Sequence, residues 1–224
     1  MKPRLPHHFF TFLFSVLLAL VARPIAAIIP VAGEGSTQPK IFLPVVMQGN
    51  ASPASTPTLP AFNEFVASVS DGQADVARGV YVAGALALPI EQQPAGNSAY
   101  ITPAPEAVSQ FQSAAYFGVT GLLAHNHLAG AQFFNLSIAE EVSIVYGDGS
   151  VRAYRITAQH RFQALDPYNP NSNFIDLDTG ATLSALDVFN QMYTGDDHVT
   201  FQTCIAQNGL SSWGRLFVIA TPIE

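Results

Sequence analysis

The chain has 224 residues, of which 49% are hydrophobic and 11% are charged. This composition excludes a disordered chain, and the length allows one domain with a substantial core. Three basic residues precede position 24, which leaves six basic against all 16 acidic residues beyond it, a formal charge of −10. An acidic surface repels phosphate backbones, so nucleic acid is excluded as a partner.

The first 27 residues have the layout of a secretory signal. A basic segment, "MKPRLPHH", precedes the apolar "FFTFLFSVLLALVA", and "RPIAA" supplies small residues for cleavage near Ala27. The apolar run is short for a membrane span and ends at Arg23, yet an uncleaved anchor through "IAAIIPVAG" stays open. We therefore predict a signal peptide or N-terminal membrane anchor at residues 1–27. The protein is expected outside the cytoplasm, secreted or anchored at the outer face of the cytoplasmic membrane, with membrane contact only through this segment.

Residues 28–60 are predicted to form a Ser/Thr/Pro-rich linker. The stretch "NASPASTPTLP" favours an extended, poorly packed spacer. An apolar stretch within it, "IFLPVVMQG", is interpreted either as an edge strand docked on the domain or as a tether segment near the membrane.

From residue 61 onward the pattern predicts mainly short strands. "RGVYVAGALALPI" and "GNSAYITP" are strand candidates, whereas "PEAVSQFQSAAYFG" is predicted as a helix because Pro105 suits a first helical turn. The strongest hairpin signal lies where "EEVSIVY" and "SVRAYRITAQHRFQAL" flank "GDG". A second helix is predicted in "TLSALDVFNQMY", capped by Thr182, with an apolar face that includes Leu186 and Phe189.

The chain ends with two predicted strands, "HVTFQTCIA" and "GRLFVIATPI", joined by "QNGLSSW". Many short strands with few helices favour a closed antiparallel barrel or a sandwich. The first of the two strands carries Cys204, the single cysteine of the chain. One cysteine excludes an intramolecular disulfide and leaves an intermolecular linker, a buried inert thiol or a reactive thiol. Alternation along the strand places Cys204 with Thr200 and Gln202, away from its apolar face, which disfavours a packing role.

Acyl transfer needs a nucleophile, a proton carrier for the amine and a donor for the oxyanion. If the last two strands pair, Arg215 lies beside Cys204, where its guanidinium can hold a carbonyl or carboxylate. The alternative for Arg215 is a solvated cation at a strand end. His125 and His127 in "GLLAHNHLAG" share a face on a strand, a spacing that suits a metal site, a general acid, or ordinary structural histidines.

These residues resemble a family. "TFQTC", followed by a strand that opens with Arg, resembles the T-L-x-T-C … R signature of the sortase transpeptidases. "LLAHN" resembles the apolar-(Ala/Gly)-Gly-His stretch of that family, and the order of His, hairpin, helix, Cys strand and Arg strand agrees. The resemblance covers residues 62–224 and departs from the pattern at Phe201, where Leu is usual, and at Ala124, where Gly is usual.

By this resemblance Cys204 is the nucleophile, His125 the catalytic histidine and Arg215 the catalytic arginine. Thr203 corresponds to a family threonine whose contacts help to shape the oxyanion site, and it is a candidate substrate-binding residue. His127 is the alternative to His125.

The resemblance implies that residues 61–224 form a mainly β, closed antiparallel sortase-like β-barrel with one or two short helices. It also implies an exported cysteine transpeptidase that needs neither cofactor nor metal. Such an enzyme cleaves a sorting-motif peptide of a secreted protein through a Cys thioester and transfers the acyl group to an amine acceptor, in the cell wall or on a protein subunit. Two alternatives stay open: a non-catalytic extracytoplasmic binding barrel with the same frame, and a metal site built on the two histidines.

Overall fold

The computed structural model describes residues 59–224. The predicted signal or anchor at 1–27, the linker up to residue 58 and the apolar stretch within it lie outside the described residues. In chain order the elements are α1 (Phe62–Val69), β1 (Ala77–Val82), β2 (Leu86–Gln92), β3 (Val108–Gln110), α2 (Gln112–Ala115), β4 (Thr120–Leu123), a 3₁₀ helix (Ala129–Asn135), β5 (Glu141–Tyr146), β6 (Val151–Ala164), β7 (Phe174–Asp176), β8 (Thr182–Leu183), α3 (Ala185–Tyr193), β9 (Val199–Gln207) and β10 (Leu210–Pro222). Among residues 59–224, no helix has the length and apolarity needed to cross a membrane.

Eight of the strands close into a barrel. Their order is β10-β9-β4-β3-β2-β1-β5-β6, and β6 pairs back with β10, while β7 and β8 extend the sheet from β6. The 14-residue β6 pairs with three strands. Its first part pairs with β5, most of its length with β10 and its end with β7. The predicted mainly β, closed barrel is confirmed. Its pairings are antiparallel except for β2 with β3 and β4 with β9, which are parallel.

The barrel wall separates two apolar cores. Val199 and Phe201 of β9 and Leu216 and Val218 of β10 point into the barrel interior. Phe217 of β10 points the other way, into a second core between the outer wall and α3. Along β9 and β10, successive side chains therefore alternate between the barrel interior and the outer face of the wall. The outer core also contains the side chains of Phe111, Val119, Leu123, Phe162, Phe174, Ala185, Val188, Phe189, Met192 and Tyr193.

Both predicted hairpins are confirmed, with one difference in a turn. β5 and β6 flank Gly147–Ser150, and Val145 pairs with Val151. Between β9 and β10 the connection is shorter than the predicted seven residues. Asn208 and Gly209 both have positive φ, 52° and 77°, as a two-residue type I′ turn requires. The strand β10 therefore begins at Leu210, and the register shifts between Leu210 and Gly214.

The helix predictions are corrected in three places. The segment predicted as a helix from Pro105 instead forms strand β3 and only a four-residue α2, because Val108 is fully buried and its backbone pairs with Ile90. The helix α3 is capped by Ser184 rather than Thr182, and Leu186 is 44% exposed instead of lying on the buried face. Helix α1 is absent from the sequence-based prediction.

The 3₁₀ helix offers a test of the barrel core. Phe133 is fully buried and contacts Phe201 edge to face at 5.2 Å between ring centroids, whereas its neighbour Phe134 is 41% exposed. We expect Phe133→Ala to lower the free energy of unfolding by about 3–5 kcal/mol, because it opens a cavity under β9. The matched change Phe134→Ala should cost less than about 1 kcal/mol. Urea unfolding followed by circular dichroism measures both, and equal losses would contradict this core.

Candidate active site

Cys204 and Arg215 lie directly opposite each other on paired strands. The antiparallel register of β9 and β10 pairs Arg215 with Cys204, next to the pair Leu216–Thr203. Because Leu216 points into the barrel, Arg215 and Cys204 share the outer face. The juxtaposition predicted from the sequence is thus found in the structure. The thiol is free and half-buried.

Arg215 is held within the hairpin that carries it. Its side chain is only 6% exposed, and Nη1 donates hydrogen bonds to the carbonyl oxygens of Ser212 at 3.0 Å and Gly214 at 2.8 Å. A guanidinium has five N–H donors, so these two bonds fix the group and leave further donors for a ligand. Arg215 is therefore a fixed, buried cation beside the thiol and not the solvated strand-end cation of the alternative interpretation.

His125 follows the strand that lies next to the cysteine strand. β4 runs parallel to β9, with Leu123 opposite Gln202, and the Ala124 amide donates to the Gln202 carbonyl at 3.2 Å. Leu123 packs in the outer core and Ala124 in the barrel interior. Continued alternation brings His125 to the outer face, on the same side of the wall as Cys204.

Three contacts anchor the segment that carries His125. The Thr203 hydroxyl donates to the Ala124 carbonyl at 2.9 Å, and the Asn126 side-chain amide donates to the Ser211 carbonyl of β10 at 2.9 Å. Gly130 packs so closely that a Cβ there would lie 2.3 Å from Thr203 Oγ1 and 2.7 Å from the His125 carbonyl oxygen. Thr203 is thus buried between the Cys strand and the His segment. The hydroxyl positions that segment, and the predicted role of Thr203 in substrate binding remains a prediction.

The second histidine lies near the first. The rings of His125 and His127 have centroids 5.5 Å apart and are tilted by 30°. His125 is half-buried, whereas His127 is exposed. Within residues 59–224, no group of three or more His, Cys, Asp or Glu side chains is arranged to hold a metal ion.

Burial shifts both titratable groups away from their charged forms. It raises the pKa of the Cys204 thiol, and the charge of Arg215 opposes part of this rise. It lowers the pKa of His125, and the charge of the neighbouring His127 lowers this pKa further. No hydrogen bond joins Cys204 to His125 in the part of the chain that the structure describes. The pair is therefore predominantly a neutral thiol and a neutral imidazole near pH 7.

An apolar cleft lies on the same outer face. Its cavity volume is about 60 Å³, and Arg215 and Gln202 lie among its lining residues. Its other walls are Phe111, Leu123, Pro170, Phe174, Ala185, Val188, Phe189, Tyr193 and Phe217. A mostly apolar cleft with two polar side chains in its lining suits a ligand that has both apolar and polar groups. The outer face therefore carries a half-buried thiol, an imidazole, a fixed cation and an apolar cleft.

Sequence reasoning missed several residues around the site. Tyr193 and Gln202 hydrogen-bond to each other at the cleft, a contact signalled in the sequence only by the place of Gln202 on the face of Cys204. His198 is buried, with its ring nitrogens 2.7 Å and 3.1 Å from the carbonyl oxygens of Asp196 and Met192. From the Asn- and Asp-rich loop after β6, Pro170 reaches the cleft.

Solved structures similar to this chain are sortases. Sortase A from Listeria monocytogenes is 11% identical, over 69% of this chain and 89% of its own, with a TM-score of 0.42. Sortase C from Clostridium perfringens is 12% identical over 72% of this chain and 82% of its own, with a TM-score of 0.42. Sortase C1 from Streptococcus suis is 14% identical over 72% of this chain and 79% of its own, with a TM-score of 0.45. No family model and no curated protein sequence matches the chain.

The charge of Arg215 gives a test of the site electrostatics. We expect the rate of Cys204 alkylation by iodoacetamide to rise with pH and to be still rising at pH 9.0, because burial raises the pKa of the thiol. Arg215→Met should shift the profile to higher pH, since it removes the charge that lowers this pKa, whereas Arg215→Lys keeps the charge and should change the profile less. Intact-mass spectrometry measures the rates. A plateau near neutral pH in the native protein, or an unchanged profile in Arg215→Met, would contradict this description.

Proposed function

We propose that the chain is an exported, sortase-like cysteine transpeptidase that cleaves a short sorting motif on a secreted protein and transfers the acyl group to an amine. One observation carries the proposal. Cys204 and Arg215 face each other on paired strands beside an apolar cleft, and His125 follows the neighbouring strand onto the same face. These three residues are those that the sortase resemblance identified in the sequence, which supports the proposal.

In the first step the Cys204 sulfur attacks a backbone carbonyl carbon of the motif. The thiol proton passes to His125, the C–S bond forms, and the negative charge on the carbonyl oxygen is stabilised by the free donors of Arg215. The intermediate then collapses, the C–N bond breaks, and His125 returns the proton to the departing amine. The product is a thioester on Cys204.

In the second step an acceptor amine attacks the thioester carbonyl. His125 takes the proton of the attacking nitrogen, a new C–N bond forms and the C–S bond breaks. The departing sulfur takes this proton back, so the enzyme returns to its starting state. Water in place of the amine gives hydrolysis. The acceptor is an amine of the cell wall or of another protein subunit.

The protonation states have a kinetic consequence for this mechanism. Burial raises the pKa of Cys204 and lowers the pKa of His125, so thiolate and imidazolium coexist only in a small fraction of the molecules. This fraction limits the rate of acylation, and a pH–rate profile would report apparent values that belong to the pair. Slow turnover suits an enzyme that makes each covalent attachment once.

The N-terminal sequence supports a location outside the cytoplasm. The basic and apolar segments within residues 1–27 would direct export, and the segment 28–60 would set the distance between the membrane and the barrel if the anchor is retained. Secreted proteins and cell-surface amines would then be within reach of Cys204.

A non-catalytic binding barrel is the second candidate. It is favoured by the raised pKa of Cys204 and by the lack of a hydrogen bond between this thiol and His125 among residues 59–224. In this case the cleft would bind a peptide without a covalent step. Cys204→Ala would then alter stability alone.

Intact-mass spectrometry of the exported chain with a randomised peptide pool distinguishes the two candidates. We expect a peptide-acyl adduct on the native protein that is absent from Cys204→Ala and is released as an amide by an added amine. His125→Ala should lower the rate of adduct formation by about 10²–10⁴-fold, because it removes the general acid and base. His127→Ala is the matched control and should keep most of the rate.

Two results would overturn parts of the proposal. No adduct from the pool, together with a thiol that resists iodoacetamide, would favour the binding barrel. Full activity of His125→Ala with loss in His127→Ala would exchange the roles of the two histidines.

A further inference from the structure

One polar side chain besides Arg215 lines the apolar cleft with a group available to a ligand. Gln202 lies two residues before Cys204 on β9, so both side chains are on the outer face. It is partly buried and belongs to the cleft lining. Two residues of strand correspond to roughly 7 Å, which is also the advance of an extended peptide over two residues. A substrate that is acylated on Cys204 and extends along β9 into the cleft would pass Gln202 about two residues from the acylated one.

Tyr193 fixes the orientation of the Gln202 amide. The phenol donates a hydrogen bond to Gln202 Oε1. Tyr193 is only 3% exposed, and its ring is packed edge to face against Phe111 at 5.1 Å and Phe217 at 6.0 Å. A buried phenol remains protonated, and burial raises the pKa of Tyr193 well above its usual value. The side-chain oxygen of Gln202 thus accepts from Tyr193, which turns the NH₂ group towards the cleft, where it is available to a ligand.

The side chains that line the cleft present more donors than acceptors, and the one charged group among them is a cation. Arg215 carries only donors, Gln202 offers its NH₂ group, and the phenol oxygen of Tyr193 lies against Gln202. A substrate acceptor that meets Gln202 satisfies a partly buried donor, whereas an apolar group leaves it unpaired. A lysine or arginine at this place would add donors and charge next to Arg215. The cleft lining therefore favours a substrate side chain that accepts a hydrogen bond next to Gln202, and it disfavours a positively charged side chain there.

We propose that Gln202, oriented by Tyr193, is a specificity-determining residue that selects peptides with a hydrogen-bond acceptor side chain about two residues from the acylated carbonyl. The acceptors of this class are the side chains of Asn, Gln, Ser and Thr and the carboxylates. The inference rests on the proposed transpeptidase function, because Cys204 defines the acylated position. The preference for acceptor side chains concerns peptide binding, so it can be measured without thioester formation.

The experiment therefore has a binding arm and a reaction arm, both with the exported chain. In the binding arm, immobilised Cys204→Ala protein captures peptides from a randomised pool, and the captured sequences are read by mass spectrometry. In the reaction arm, native protein reacts with the same pool and the acyl adducts are identified. The variants Gln202→Met, Gln202→Glu and Tyr193→Phe are carried through both arms.

We expect peptides with Gln or Asn at the selected position to exceed their near-isosteres Met and Leu by at least about 10-fold in both arms, because the isosteres leave the donor unpaired. Gln202→Met should reduce this ratio to within about twofold, since Met keeps the length and removes the donor. Gln202→Glu places a negatively charged acceptor in the cleft, so the peptides selected at this position should change from Gln and Asn to Lys. Tyr193→Phe removes the hydrogen bond to Gln202 Oε1, so the amide can rotate, and the discrimination between acceptor and donor peptides should weaken in both arms.

Failure of the inference and failure of the proposed function give different results. Adducts on native protein with the same peptide ranking in native and Gln202→Met would overturn the selection and leave the transpeptidase intact. Acceptor-selective capture without any adduct would support the selection and overturn the covalent chemistry. Capture without positional preference overturns the role of Gln202 whatever the outcome of the reaction arm.

Discussion

The register between β9 and β10 is the constraint on which the proposed active site depends. Strand side chains alternate between the two faces, so a slip of one residue would turn either Cys204 or Arg215 into the barrel interior. The register is fixed from both sides, because Phe201 and Val218 fill the barrel while Phe217 packs against α3. The hydrophobic packing of the two cores thereby keeps the thiol and the guanidinium facing each other on the outer wall.

The same wall also sets the chemistry of the two groups. Burial beside the apolar cleft raises the pKa of Cys204 and lowers the pKa of His125, while the fixed charge of Arg215 restrains the first shift. Both shifts favour the neutral forms of the two groups, and the apolar lining of the cleft strengthens polar contacts made within it. In such a surrounding a single oriented amide, that of Gln202, can discriminate between substrates.

Much of the site was predictable because its signals are local. Alternation in "HVTFQTCIA" indicated the face of Cys204, and the motif "LLAHN" indicated His125. The parallel pairing of β4 with β9, which places the His125 segment next to the cysteine strand, is a long-range contact without a local signal. For the same reason Val108 was assigned to a helix, because only its neighbours β2 and β4 show that a strand is needed there. Leu186 is exposed because α3 turns a different face, that of Ala185, Val188, Phe189, Met192 and Tyr193, towards the outer core.

The central claim is that Cys204, Arg215 and His125 act on one carbonyl. The most direct measurement is a crystal structure of the exported chain after reaction of Cys204 with a peptidyl halomethyl ketone chosen from the captured sequences. The account predicts that the ketone oxygen accepts a hydrogen bond from Arg215, that the His125 ring lies next to the sulfur, and that the peptide passes over Gln202. A peptide that leaves the cleft empty, or a ketone oxygen directed away from Arg215, would contradict it.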